Sequence, residues 1–176
     1  EEHVRRLTAA GIQSAFQCYN INSFESVERL MRRGIYKGPL VMNWVAIGGG
    51  MDSPTVYSLA NFMRGVPDGA VVTVESSVLN VLPVNTIGIA MGLHVRCGTE
   101  DNLWNQTRTK KIGTAAQIEQ LVRISRELSR PIATAKEARE MCKIGVFYDT
   151  VEESLEANGF APNRNGGRQG FLQKAA

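Results

Sequence analysis

Cysteine is scarce here: this chain of 176 residues has three, Cys18, Cys97 and Cys142. They are odd in number and form no Cys-x-x-Cys spacing, which excludes a disulfide framework and a structural zinc knuckle and points to a reducing compartment. Long apolar runs are missing too. No stretch approaches the roughly 18 residues that a membrane span needs, and the leading Glu-Glu-His-Val-Arg-Arg-Leu is charged rather than signal-like. No membrane partner is expected, and the sequence reads as cytoplasmic. Charge of one sign is lacking as well: 20 Lys+Arg against 17 Asp+Glu leave +3, too little for a nucleic-acid partner without a basic stripe. The densest basic run, Arg108-Thr109-Lys110-Lys111, reads as a solvated loop.

What is present is 43% hydrophobic content, enough to bury the core of one domain. Short apolar runs at 14–21, 39–47, 70–77 and 93–99 read as strands. Helical patterns lie between and after them, at 23–34 with Ser23 as a cap, at 55–65 behind Asp52 or Ser53 and Pro54, and at 82–92. A helix over 114–130 carries Ile118, Leu121, Val122, Ile124 and Leu128 at its apolar spacing, and Thr134 with Glu137 has the spacing of a capping box. One or two turns follow at 151–160. Residues 161–170 have almost no apolar content and predict a mobile or subunit-contacting tail, in which Arg164 and Arg168 are the cations. Strands alternating with helices argue for parallel βαβ units, whose ligands bind beyond the carboxyl ends of the strands.

The polar string His94-Val95-Arg96-Cys97-Gly98-Thr99-Glu100-Asp101-Asn102 lies at such an end. In an extended strand His94, Arg96, Gly98 and Glu100 share one face and Val95, Cys97 and Thr99 the other. Ionisable groups beside an apolar flank are rare unless paired or metal-bound, so this string is the candidate site. Gly48-Gly49-Gly50 lacks a dinucleotide fingerprint and reads as a loop on the active face, with Asn43 on the strand before it. Cys97 alternates away from the charges and reads as a structural thiol. Glu75, at the end of the third strand, either lines the site or faces solvent.

The string from His94 to Trp104, followed by residues 114–141, resembles the carboxyl half of the β-keto acid cleavage enzymes over roughly residues 1–145. In that family a strand reading His-Val-Arg, one residue, Gly, one residue, Glu-Asp-Asn precedes two helices in this order and spacing. The resemblance implies an α/β fold of the (β/α)8 TIM-barrel type, with this chain covering roughly the last four β/α units. Residues 1–150 would be the carboxyl half of the barrel and 151–176 an extension. A whole barrel takes about 250 residues, so an N-terminal half-barrel is required from elsewhere.

The resemblance further implies a Zn2+ held by two histidines of the other half and by Glu100. It assigns the general base to Asp101 and orientation of the substrate carboxylate to Arg96. The reaction would join a β-keto acid to acetyl-CoA and release acetoacetate and a new acyl-CoA, in a homo-oligomer. His94 does not match the family's His-x-His pair and reads as a core or barrel-bottom histidine. The family's Pro-Glu-x-Glu string becomes Ser14-Ala15-Phe16-Gln17-Cys18-Tyr19-Asn20, and its Gly-x-Gly-Arg string becomes Ser76-Ser77-Val78-Leu79. These departures point away from an amino-bearing substrate. They leave Gln17, Asn43 and Glu75 as substrate-binding candidates, and a non-catalytic barrel relative or subunit as the rival reading.

Overall fold

A computed structural model of the chain describes residues 1–77 and 81–164; the expectations for Val78, Leu79 and Arg168 lie outside the described residues. Four strands, β1 (Ala15–Cys18), β2 (Val41–Ala46), β3 (Val71–Ser76) and β4 (His94–Val95), form one parallel sheet in the order β1-β2-β3-β4. After α1 (Glu2–Ala9), the crossovers are α2 (Ile21–Arg32), α3 (Val56–Gly65) and α4 (Val81–Ala90). Then come α5 (Thr114–Glu127), α6 (Ala135–Met141) and α7 (Val151–Ala157). Adjacent parallel strands joined by helices are the βαβ arrangement that the alternation predicts, and none of the helices described is long and apolar enough to cross a membrane.

Strand periodicity divides the sheet into two unlike faces. Cys18, Met42, Trp44, Ala46, Val72 and Val74 point into one core with Phe24, Val27 and Met31 of α2, Leu59 and Phe62 of α3, and Val84 of α4. The opposite face carries Ala15, Gln17, Val41, Asn43, Val71, Thr73 and His94, all at least partly exposed, together with buried Val45 and Glu75. Among the described residues no helix lies over it. Parallel sheets are ordinarily covered on both faces, so this one is half dressed.

Local chemistry moves several boundaries. Helix α2 is capped by Asn20 rather than Ser23: the extended Asn20 puts its Oδ1 3.1 Å from the Ser23 amide, and the helix starts accordingly earlier. Thr55 caps α3 in place of Asp52 or Ser53, because the Asp52 carboxylate accepts from Trp44 Nε1 at 2.8 Å. The capping box of Thr134 and Glu137 forms as read from sequence. Gly34, at φ +67 beyond α2, is the left-handed residue that lets the chain leave a helix.

The expected strand 93–99 is cut to its first residues. Ladder bonding ends with the Arg96 amide donating to the Val74 carbonyl at 2.9 Å. The amides of Asp101 and Asn102 then fold back onto the Gly98 carbonyl at 3.1 and 3.0 Å, so a turn replaces the extended run. The apolar stripe of α5 is also only half covered. Leu121 is buried, whereas Ile118 and Leu128 are exposed, and a groove of about 430 Å³ opens between the β4 edge, α5, Ile132 and Met141.

At the carboxyl end, α7 returns to α2. Leu155 enters the core, and fully buried Asn158 accepts from the Leu40 amide and donates to the Ser154 and Gly38 carbonyls. Arg32, 4% exposed, pairs with Glu28 at 2.7 Å. It also donates to the Ala161 carbonyl and the Asn163 side chain and lies over the Phe160 ring.

Candidate active site

Three carboxylates surround one guanidinium at the carboxyl end of the sheet. Register places Val74 beside Val95, which sets Glu75 beside Arg96, one residue beyond on each strand. Arg96 Nε and Nη2 each reach one Asp101 oxygen at 3.2 Å, a two-pronged contact. Nη2 also reaches Glu100 at 2.7 Å, and Nη1 lies 3.3 Å from Glu75 Oε2. That last contact lacks hydrogen-bond geometry, for Oε2 has no hydrogen-bond partner. With every group ionised, three acids and one base leave the cluster at −2.

Burial differs sharply among the acids. The side chains of Asp101 and Glu75 are 2% and 6% exposed, Arg96 is 29% exposed, and Glu100 is 83% exposed. Burial pushes the Asp101 carboxyl above the usual range, and the Arg96 charge and hydrogen bond only partly oppose it. An acid raised in this way is better matched to proton abstraction near neutral pH. Arg96 itself is pushed up: burial works against its charge, but Asp101, Glu75 and Glu100 outweigh it. Burial, followed by the Asp101 charge, also raises the Cys97 thiol, which suits a structural rather than nucleophilic role.

The turn holding these groups is fastened from behind. Thr114 Oγ1 at the start of α5 accepts from the Thr99 amide at 3.2 Å, and buried Gln117 donates to the Asn102 carbonyl at 2.8 Å. Asn85, fully buried on α4, donates to the Arg96 carbonyl at 2.7 Å. Neither Asn85 nor Gln117 was legible as a site residue. The one available signal was an asparagine inside the otherwise apolar Val-Leu-Pro-Val-Asn-Thr-Ile-Gly-Ile-Ala helix.

Of the residues expected from sequence, the structure gathers Arg96, Glu100, Asp101 and Glu75. It sets Gln17 and Asn43 elsewhere. They pair in one cross-strand row with Thr73, which pairs in turn with His94, two residues below Glu75 and Arg96. That separation is about 7 Å along the strands. Gln17 accepts from Tyr19 Oη at 3.3 Å. Among the described residues no group of three or more His, Cys, Asp and Glu is placed to hold a metal ion, and Glu100 is the most exposed acid of the cluster.

Glu75 carries a pH consequence. Burial pushes its carboxyl up, Arg96 pulls it down, and Asp101 and Glu100 add to the rise. The folded state therefore binds this proton more tightly than the unfolded chain. The stability linked to it is complete below the ordinary glutamate pKa of about 4.3 and is lost as pH rises through the raised folded value. Over that window we expect a downward slope of up to about 1.4 kcal/mol per pH unit from this group, and Glu75→Gln removes it. Thermal melts of both proteins across about pH 4 to 8 check this; equal slopes would show that Arg96 keeps Glu75 ionised.

The profile of the β-keto acid cleavage enzyme family matches residues 1–144. A 3-keto-5-aminohexanoate cleavage enzyme of Acetoanaerobium sticklandii is 29% identical over 135 residues, covering 76% of this chain and 49% of the relative. A 3,5-dioxohexanoate:acetyl-CoA acetone transferase of Paraburkholderia graminis is 32% identical over 143 residues, 77% of this chain and 45% of the relative. A second 3-keto-5-aminohexanoate cleavage enzyme, from Fusobacterium nucleatum, is 25% identical over 138 residues, 78% of this chain and 50% of the relative. The chain thus spans about half the length of the curated relatives it matches. With the matched region running from α1 through α6 and including the whole Arg96–Asp101 turn, this chain belongs to the β-keto acid cleavage enzyme family.

Proposed function

We propose that the complete protein joins a β-keto acid to acetyl-CoA and cleaves the adduct to acetoacetate and a new acyl-CoA. The observation that supports this reading is the buried Asp101 carboxylate gripped by Arg96 at the open end of the sheet. Asp101 takes a proton from the carbon between the keto and carboxyl groups. The resulting carbanion attacks the acetyl thioester and expels CoA thiolate. CoA thiolate then adds to the original keto carbon, the carbon–carbon bond breaks to release the new acyl-CoA, and the acetoacetate carbanion takes back the proton held by Asp101. Arg96 orients the substrate carboxylate, and its Nη1, held least tightly because the Glu75 contact is no hydrogen bond, is the donor that turns to it. Gln17, Asn43 and Glu75 line the same face as substrate-binding groups.

On this reading the rest of the site comes from an N-terminal half-barrel. An uncovered sheet face, the unpaired outer edges of β1 and β4, and the groove beside α5 all suit completion of a (β/α)8 barrel by an N-terminal half, with residues 1–150 as the carboxyl half. Zinc enters through Glu100 alone in this chain; a bound zinc ion supplies Lewis-acid polarisation of the keto group. Glu100→Gln in the full-length protein is expected to lose most bound zinc, because a neutral amide is a poorer donor than a carboxylate. Metal analysis showing undiminished zinc would remove Glu100 as a ligand. The reaction itself is tested by acetoacetate formation from acetyl-CoA and a panel of neutral and charged β-keto acids. No product from any acid would favour the non-catalytic relative.

A further inference from the structure

Residues 103–111 follow the Asp101 turn directly and form a short hairpin closed by an antiparallel bridge between Trp104 and Lys111. The hairpin contains Arg108, Lys110 and Lys111 and no acid. Its interior is tied by one residue. Asn105 Oδ1 accepts from the Thr109 and Lys110 amides at 2.9 and 3.1 Å, and its Nδ2 donates to Thr107 and Thr109. Asn102, next to Asp101, bonds to both the amide and the carbonyl of Trp104, so the hairpin and the acid cluster share an anchor. Trp104 is nevertheless 40% exposed, with the Lys111 ammonium 5.7 Å from its ring centroid.

A rigid loop that displays an indole beside several cations suits a ligand that is both aromatic and polyanionic. Stacking needs a fixed ring, and phosphates need positive charge. The reacting end gathers the three carboxylates, whereas the hairpin beside it carries cations and no acid, so the hairpin is the place for phosphates. Trp104 lies three residues from Asp101, at most about 11 Å along the chain, which the pantetheine arm of a CoA thioester can span. We infer that the 103–111 hairpin holds the nucleotide end of the acyl-CoA co-substrate, with Trp104 stacking on adenine and Lys110 and Lys111 meeting the phosphates. This rests on the proposed reaction for the identity of the ligand, while a free adenine nucleotide presents similar chemistry.

The test uses the full-length protein, Trp104→Ala and the double variant Lys110→Ala/Lys111→Ala. Calorimetric titration compares CoA, adenosine 3′,5′-bisphosphate, ATP and pantetheine. Each variant is expected to weaken CoA and adenosine 3′,5′-bisphosphate by about tenfold or more, the scale of one lost base stack, with pantetheine affected least. In turnover, kcat/KM for acetyl-CoA relative to that for acetyl-pantetheine should fall by about the same factor, a ratio that general damage to the fold would not move. Nucleotide affinity lost in the variants when none of the three proteins forms acetoacetate would support the hairpin while sinking the reaction. An unchanged ratio overturns the inference, with ATP bound in preference to adenosine 3′,5′-bisphosphate identifying a free nucleotide. An unchanged ratio with an altered oligomeric state would instead make the hairpin a subunit contact.

Discussion

Asp101→Asn in the full-length protein is expected to lower acetoacetate turnover by about 10²–10⁴-fold, the usual range for one acid–base group, while the fold persists. Asparagine has the same shape, so the turn closed on the Gly98 carbonyl is kept. It cannot accept a proton as a carboxylate does. It also presents an amide NH₂ to a guanidinium that now meets two carboxylate oxygens, and one Arg96 donor loses its acceptor. Arg96 still has Glu75 and Glu100 nearby, which limits the structural cost. The measurement is initial rate with the best acid of the panel, alongside a thermal melt and zinc content. Equal rates for the two proteins would remove Asp101 from the mechanism.

Arg32→Met is expected to destabilise the protein by about 3–5 kcal/mol, the cost of removing one partner of a buried ion pair. Glu28 is itself buried and would keep a charge without a counterion. The Ala161 carbonyl and the Asn163 side chain would each lose a donor, and Phe160 would lose the cation over its ring. Urea unfolding should show the lower midpoint. Limited proteolysis should show faster cleavage within 158–164, since the Arg32 side chain supplies the charged ties of that segment to α2. Retained resistance there would mean that Asn158, the Phe24–Phe160 stack and the bond from Asn163 to the Arg32 carbonyl secure it without the guanidinium.

The helices and strands were legible because their patterns are local. Val-Met-Asn-Trp-Val-Ala and Val-Val-Thr-Val-Glu-Ser carry the apolar alternation of β2 and β3, and Thr134 with Glu137 announces a helix start without outside help. The errors are non-local in origin. Residues 93–99 alternate like a strand, but whether they extend depends on a neighbour's hydrogen bonds, and these stop at Val74. Ile118 and Leu128 have core spacing, yet both are exposed, and burial of Ile118 depends on whatever fills the adjoining groove.

The same holds for the site. Arg96, Glu100 and Asp101 stand close enough in sequence to be gathered by inspection. Glu75 joins them only because the β3–β4 register puts it beside Arg96, a fact that sequence separation hides. Gln17 was marked by its place in the stretch that departs from the family string and Asn43 by the loop that follows it; the register places both about two residues below Glu75 and Arg96 on the same face. Asn85 acts through a backbone carbonyl, so no charge or motif marks it.

Strand β4 has two residues, against six each in β2 and β3, and is bonded on one side. Its carboxyl end carries Arg96 and, through the turn, Asp101. Amides of such a margin open to solvent far more readily than those of the inner strands. Arg96 and Asp101 are therefore mounted on the margin of the sheet, while Glu75 reaches them from the inner strand β3. Whatever adds the next strand to β4 lengthens the ladder under Arg96 and removes an edge open to stray pairing. In the proposed barrel, closure of the sheet and support of this edge are then one event, added to the bonds by which Thr114, Gln117 and Asn85 already fasten the turn.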